Sequence, residues 1–258
     1  DFMVISTAVA PVHKDPRFSS EMTTQALLWE RVEVLDREKF WFHIRQENGY
    51  TGWIYTFHLL ENPDSFDNWI TINGRFVPFT SNEECKYNRL LSFGTKMPVQ
   101  SENGDILQTN LPSRVTGQIP TQIENSEKSR TQIERNAKIL LGTPYLWGGR
   151  SAYGFDCSGF VQLVLTTIGI SIARDTRNQV ETSWLQEINI TESKLGDLVF
   201  FAENEQINHV GFSLGEGKII HCSGEVKIES LNEGNEGFSQ ILYQSLYKTY
   251  SISKQVVD

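Results

Sequence analysis

Three side chains combine the types and settings that nucleophilic chemistry needs: Cys157, His209 and His221. Cys157 stands in "GFDCSGF", Gly154 to Phe160, where a glycine-rich loop, "WGGRSAYGFD", runs into the apolar stretch "VQLVLTTIGI". A free cysteine in such company is commonly a small core hydrophobe. At a loop-to-helix junction, however, unsatisfied N–H groups and the positive end of the helix dipole point at the sulfur and favour thiolate, the attacking form. Such a nucleophile needs a base, normally histidine. Two histidines lie downstream in short β-type runs, His209 opening "HVGFSL" and His221 closing "KIIH". If Gly215 to Gly217 form a three-residue loop, Leu214 faces Lys218 and His209 faces Ser223. His221 is then a diagonal neighbour of His209 on one sheet face. A two-residue loop would shift the parity and put the imidazoles on opposite faces.

Asp156, next to the cysteine, raises the thiol pKa by like-charge repulsion, the wrong direction for catalysis. Two uses for it stand open: pairing with a substrate ammonium, which would neutralise it and confer selectivity, or capping the helix. Strand alternation turns Cys222 away from His221 toward a core, and Cys85 sits in polar company without a partner histidine. His13, His43 and His58 read as ordinary strand or loop residues. The spacing of Cys157, His209 and His221 fits no zinc pattern, so neither a metal nor a cofactor is expected.

These residues must be held by a chain of 258 residues, long enough for more than one core. Its 39% apolar and 21% charged residues are a globular balance. The net charge of −9, with no basic cluster, argues against a nucleic-acid partner. No run approaches the length of a bilayer span. The first residue is Asp1, which leads us to expect a removed upstream segment, where any signal peptide would have lain. Three cysteines cannot all pair, so at least one thiol is free.

From Asp1 to Asn62, "MVISTAVAPVH", "ERVEVLD", "FWFHIRQ" and "GYTGWIYTFHLL" are short strand runs broken by turns, the pattern of a small all-β barrel. The segment "GYTGWI", Gly49 to Ile54, resembles the final strands of a bacterial SH3-like domain. "WITINGRFVPF", "RLLSFGTKMPV" and "SRVTGQIP" read as a second such barrel over 63–118, and the polar "TQIENSEKSR" as a linker. In "SRTQIERNAKILLG", Ile133, Ala137, Leu140 and Leu141 recur at helical spacing, with Gly142 as terminator. Phe160 to Ile168 reads as a buried helix ended by Gly169, and "GDLVFF", "HVGFSL" and "KIIHCSG" as antiparallel strands. The expected architecture is multidomain: barrels over 1–62 and 63–118, then an α+β domain over 119–258.

"YLWGG" (Tyr145 to Gly149), "DCSG" (Asp156 to Gly159), "GDLVF" (Gly196 to Phe200), "HVG" (His209 to Gly211) and the later His221 resemble, in order and spacing, the NlpC-type papain-like cell-wall cysteine peptidases. The resemblance spans roughly residues 125 to 250. It implies a papain-like catalytic domain with Cys157 as nucleophile, His209 as general base and acid, and His221 as orienter through a neutral hydrogen bond. With SH3-like barrels upstream, it narrows to γ-D-glutamyl-L-diamino-acid endopeptidases acting on peptidoglycan stem peptides. There the barrel closes the far end of the cleft, so that only peptides with a free N-terminal L-alanine fit.

By the same resemblance, "EMTTQALLWE" corresponds to a barrel loop contributing an acidic residue, assigned here to Glu21, and Ser158 and Thr176 join the substrate site. Tyr50, at the exposed end of "GYTGWI", is a candidate acceptor for the substrate amine. Trp147 either walls the pocket or only packs, and Tyr145 is a candidate oxyanion donor beside the Cys157 N–H. Two other functions remain open: a non-catalytic cell-wall peptide binder, or an acyltransferase using the same cysteine and histidine. The expected place of work is the cell envelope, with cytoplasmic recycling of wall fragments as the alternative. Oligomeric state is not legible.

Overall fold

Short β-branched and aromatic runs separated by turns do become strands in the N-terminal part. They are β1 (Phe2–Ile5), β2 (Val9–His13), β3 (Met22–Leu27), β4 (Arg31–Glu38), β5 (Trp41–Arg45), β6 (Thr51–Tyr55) and β7 (Leu59–Glu61). The computed structural model describes residues 1–61, 68–81, 88–99, 113–114, 129–254 and 256–257. It divides into two compact units, 1–124 and 125–258. In the first unit the strands form one sheet in the order β3-β2-β6-β5-β4-β1-β7. Alternate residues Ile5, Ala10, Val12, Ala26, Val32, Ile44 and Ile54 are fully buried in one core cluster.

The second segment carries β8 (Asn68–Thr71), β9 (Phe76–Ser81), β10 (Asn88–Ser92), β11 (Lys96–Val99) and β12 (Ser113–Arg114), in the two small sheets β10-β9-β12 and β11-β8. Its Ile72, Val77, Leu91 and Met97 pack with Val4, Leu28 and Trp29 of the first segment in one cluster. The second segment therefore buries its apolar side chains partly on the first. Cys85 and the linker expected before Ser129 lie outside the described residues.

The second unit begins with α1 (Arg130–Lys138), whose Ser129 side chain caps it by accepting from the Gln132 N–H. Its Ile133 and Ala137, and Leu140 just after it, are fully buried while Leu141 is exposed. After the short pair β13 (Arg150–Ser151) and β14 (Gly154–Phe155) comes α2 (Cys157–Thr167), buried on almost every face. Then follow α3 (Thr176–Gln179), β15 (Leu185–Ile188), β16 (Leu198–Glu203), β17 (Gln206–Gly215), β18 (Lys218–Ser223), β19 (Glu225–Ser230), α4 (Gln240–Ser245) and β20 (Leu246–Ile252). The sheet runs β15-β20-β16-β17-β18-β19, each neighbour antiparallel. Helix α2 packs against β17 and β18, with Phe160 edge-on to Phe212 at 5.9 Å. The α+β expectation holds. Strands β3, β13, β14, β15, β19 and β20 were not anticipated.

Buried charge ties these layers together. Asp197, fully buried in "GDLVF", receives Arg130 Nη1 at 2.6 Å, and Arg130 Nη2 donates to the Ile252 carbonyl at 2.9 Å. The motif aspartate thus joins α1 to β16 and β20. Among the described residues no helix is long and apolar enough to cross a membrane.

Candidate active site

Cys157 is the first residue of α2, placed there because Asp156 adopts extended backbone and its carboxylate accepts from the Gly159 N–H at 2.7 Å. A Cβ on Gly159 would lie 2.2 Å from the Gly149 carbonyl oxygen, so only glycine lets the helix start this close to the loop. Cys157 is 7% exposed, and its sulfur has Thr176 Oγ1 at 3.8 Å and the Asn208 carbonyl oxygen at 3.9 Å. Burial first, then the Asp156 charge, push the Cys157 thiol up, against smaller downward pulls from Thr176 and the Val210 and Ser158 backbones. Desolvation therefore outweighs the helix-terminus effect that the sequence suggested, and the resting sulfur is a thiol.

The Asn208 carbonyl reaches the sulfur through a bulge. Phe201 pairs with His209 and Ala202 with Ile207, so Asn208 is an extra residue in β17 with no ladder partner on β16. The next residue is His209. Its Nε2 lies 2.8 Å from His221 Nδ1, with the rings edge to face at 5.0 Å. His221 Nε2 lies 2.8 Å from Glu229 Oε2.

The hairpin condition is met by an unexpected route. Gly215 pairs with Lys218, which leaves a two-residue turn, Glu216 and Gly217, of the kind that would separate the histidines. A second bulge, at Leu214, restores the parity, so that Ser213 faces Ile219 and Gly211 faces His221. A Cβ on Gly211 would stand 2.8 Å from His221 Cβ, which explains the glycine in "HVG".

Burial, His221 and Lys227 together lower His209 to about 3, so this imidazole is neutral at physiological pH. His221 is also lowered by burial, although Glu229 pulls it up. Thiol and imidazole both rest neutral. Moving the proton from one to the other therefore belongs to the reaction rather than to the resting state.

Asp156 has a partner that the sequence did not show. Its carboxylate forms a forked ion pair with Arg174, Nη1 to Oδ1 at 2.9 Å and Nη2 to Oδ2 at 2.7 Å, and also accepts from the Gly148 N–H at 3.1 Å. Arg174 is almost wholly buried. The capping role is present, and Arg174 balances the carboxylate charge. Ser158 Oγ joins the same cluster, accepting from Arg174 Nη1 at 2.9 Å and donating to Asp156 at 3.3 Å.

Thr176 is in place beside the sulfur. The Tyr145 phenol is pushed up to about 12 by burial, Cys157 and Asp156, so it stays a hydrogen-bond donor. Trp147 is 64% exposed and so is not a core residue. Cys222 is buried, its thiol donating to the Phe155 carbonyl at 3.2 Å. Glu21 and Tyr50 belong to the first unit. Glu21 is exposed and directly precedes β3, so "EMTTQALLWE" is mostly strand rather than loop, because Thr24 to Leu27 are buried there. Tyr50 is half-buried just before β6.

Arg174 and Glu229 were not anticipated. Glu229 was findable: in a hairpin turning at Gly224, Lys227 faces His221 and Glu229 follows on the same face. Arg174 carried no local signal.

Residues 142–245 match the NlpC/P60 family, and residues 12–59 match the bacterial dipeptidyl-peptidase Sh3 domain. The chain is 30% identical over 230 residues to a gamma-D-glutamyl-L-lysine dipeptidyl-peptidase of Bacillus cereus, spanning 79% of this chain and 68% of the relative. It is 32% identical over 215 residues to the protein of the same name from Bacillus subtilis, spanning 77% and 71%. The crystal structure of an NlpC/P60 family protein from Bacillus cereus superposes with a TM-score of 0.80 at 22% identity, covering 98% of this chain and 99% of that one. That likeness speaks for the fold.

Proposed function

Because the chain belongs to the NlpC/P60 family and is a cysteine peptidase, we propose that it hydrolyses the γ-D-glutamyl-diamino-acid bond of peptidoglycan stem peptides that carry a free N-terminal L-alanine. The observation that carries this reading is the placing of the Cys157 sulfur against the backbone of the residue before His209, whose far nitrogen is 2.8 Å from His221. Cys157 attacks the γ-carbonyl carbon and passes its proton to His209. His209 returns it to the leaving diamino-acid nitrogen, and water then attacks the thioester with His209 as base. The Cys157 N–H at the helix start and the Tyr145 phenol are the donors for the oxyanion.

Support for the peptide-end preference comes from the relatives and from the Sh3-domain match. Two relatives are named dipeptidyl-peptidases, and enzymes of that type measure from a free chain end. The Sh3-domain match covers Tyr50, and Glu21 lies within it, so both are candidate partners for the substrate ammonium. Asp156 stays with them as a candidate, because a carboxylate held by one guanidinium keeps lone pairs for an ammonium. Work at the cell envelope, or on wall fragments being recycled, fits this substrate.

The test is turnover of L-Ala-γ-D-Glu-L-Lys, its meso-diaminopimelate counterpart and the N-acetylated form of each, followed by mass spectrometry. Release of L-Ala-γ-D-Glu is expected, lost in Cys157→Ala. Acetylation should lower kcat/KM by about a thousandfold, since it removes the charge that the acceptors pair with and adds bulk at the recognised end. Equal rates on free and acetylated peptides would remove the free-amine preference, and activity surviving in Cys157→Ala would remove the nucleophile.

A further inference from the structure

A neutral imidazole has one N–H and one lone pair, so a base histidine works in only one of its two tautomers. In this site the choice is made beyond His221, at Glu229. The Glu229 carboxylate has only acceptor atoms, and its Oε2 is 2.8 Å from His221 Nε2. The hydrogen of His221 must therefore be on Nε2, which leaves the lone pair on its Nδ1. His209 Nε2 lies 2.8 Å from that Nδ1 and so must donate to it. The lone pair of His209 is left on Nδ1, its one ring nitrogen without a hydrogen-bond partner among the described residues.

We infer that Glu229 is a positioning residue: acting through His221, it holds His209 in the tautomer whose Nδ1 takes the proton from Cys157. This rests on the peptidase reading above and adds a fourth member to its residues. During attack the S–H bond of Cys157 breaks and an N–H bond forms at His209 Nδ1. The other two N–H bonds stay where they are. The imidazolium so formed points its Nε2–H at His221, whose own N–H points at a carboxylate, so the positive charge is met along the row. The sequence had suggested a purely neutral orienter. A carboxylate stands behind it.

The titratable groups facing this row are few. Lys227 Nζ lies 3.3 Å from Glu229 Oε2, and Lys227 also faces His221 across the β18–β19 pair. The Phe201 ring lies 5.5 Å from that of His209. Glu229 is the one carboxylate hydrogen-bonded to either ring among the described residues, and it sits on β19, the edge strand of its sheet. Sequence separation hides this arrangement, because its three hydrogen-bonded residues come from β17, β18 and β19.

The experiment uses the full chain with 15N-labelled histidine, signals being assigned by their loss in His209→Ala and His221→Ala. In the parent protein near pH 7, His221 should be protonated on Nε2 and bare on Nδ1, and His209 likewise. An Nδ1-protonated His221 overturns the inference whatever the variants do. Glu229→Met keeps bulk but has no acceptor. It should lower kcat about 10- to 100-fold with KM changed less than about threefold, and mix the tautomers of both rings.

Glu229→Gln should recover most of the loss, because its carbonyl can accept from His221 while Lys227 holds that oxygen in place. Unchanged kcat in Glu229→Met, or a loss with the parent tautomers intact, refutes the role. If the parent shows no Cys157-dependent turnover, the peptidase reading fails, and the nitrogen spectra alone still decide whether Glu229 sets the tautomer.

Discussion

At the scale of single residues, the site is governed by burial more than by the helix end that attracted notice in the sequence. A thiol pushed up by desolvation and by Asp156 reacts slowly with alkylating agents, because only the thiolate attacks them. Iodoacetamide should label Cys157 slowly at pH 7 and faster as pH rises past 9. A labelling rate already at plateau near neutrality would reveal a resident thiolate and refute the neutral pair.

The Arg174 and Asp156 pair makes a second prediction. Removing one member of a buried pair strands the other, so Arg174→Met should cost about 3 to 5 kcal/mol in urea unfolding. Asp156→Asn should cost a similar amount, with part regained in the double variant. A loss below about 1 kcal/mol for both single changes would mean that the pair is effectively solvated. Cys157, His209 and His221 were legible because their types are rare and reactive. Arg174 was not, because it lies seventeen positions along the chain from Cys157, and nothing in its own neighbourhood signals that a fork is aimed back at the helix cap.

At the scale of elements, two bulges in β17 set the site. One frees the Asn208 carbonyl toward the sulfur, and the other keeps His209 and His221 on one face despite a two-residue turn. Alternation in "HVGFSL" and "KIIHCSG" disclosed the strands. It did not disclose the bulges, which depend on pairing geometry rather than composition. Strand β20 was missed for a related reason: its partners β16 and β15 are distant in sequence, so no turn announces it. Strand β3 was missed because its buried residues run consecutively from Thr24 to Leu27 instead of alternating.

The close approach at Gly211 gives a test at this scale. Gly211→Ala would press a methyl to 2.8 Å from His221 Cβ and 2.9 Å from the Ile220 carbonyl oxygen, so β17 and β18 must part. We expect kcat to fall at least about tenfold, with a stability loss of roughly 1 to 3 kcal/mol. Parent-like activity would mean that the imidazole pair tolerates a wider hairpin than its 2.8 Å contact implies.

At the scale of the whole molecule, the chain is two units, and each holds a histidine that folding keeps neutral. The barrel expected from "GYTGWI" is present, yet its core is shared partly with the segment that follows, a joint burial that strand periodicity cannot reveal. In that unit His58, with Nδ1 2.8 Å from Thr7 Oγ1, is lowered by burial and by His13 to about 4. In the other, His209 is lowered to about 3. Both folded values lie below the ordinary 6.5, so below pH 6.5 the unfolded chain binds more protons than the folded one. Stability must then rise with pH across this window.

The contribution of these histidines is complete above about pH 6.5 and is lost progressively as pH falls toward 4 for His58 and 3 for His209. Most of that interval lies above the range in which ordinary carboxylates take up protons, so the histidines can be read separately from general acid unfolding. Melting temperature should be flat above pH 7 and should fall between pH 6.5 and 4.5. His58→Gln should flatten the fall for the first unit, and His209→Gln for the second, each followed by tryptophan fluorescence and circular dichroism together. A parent melting temperature that does not move between pH 7 and 4.5 would show that both rings accept their protons without leaving their folded sites.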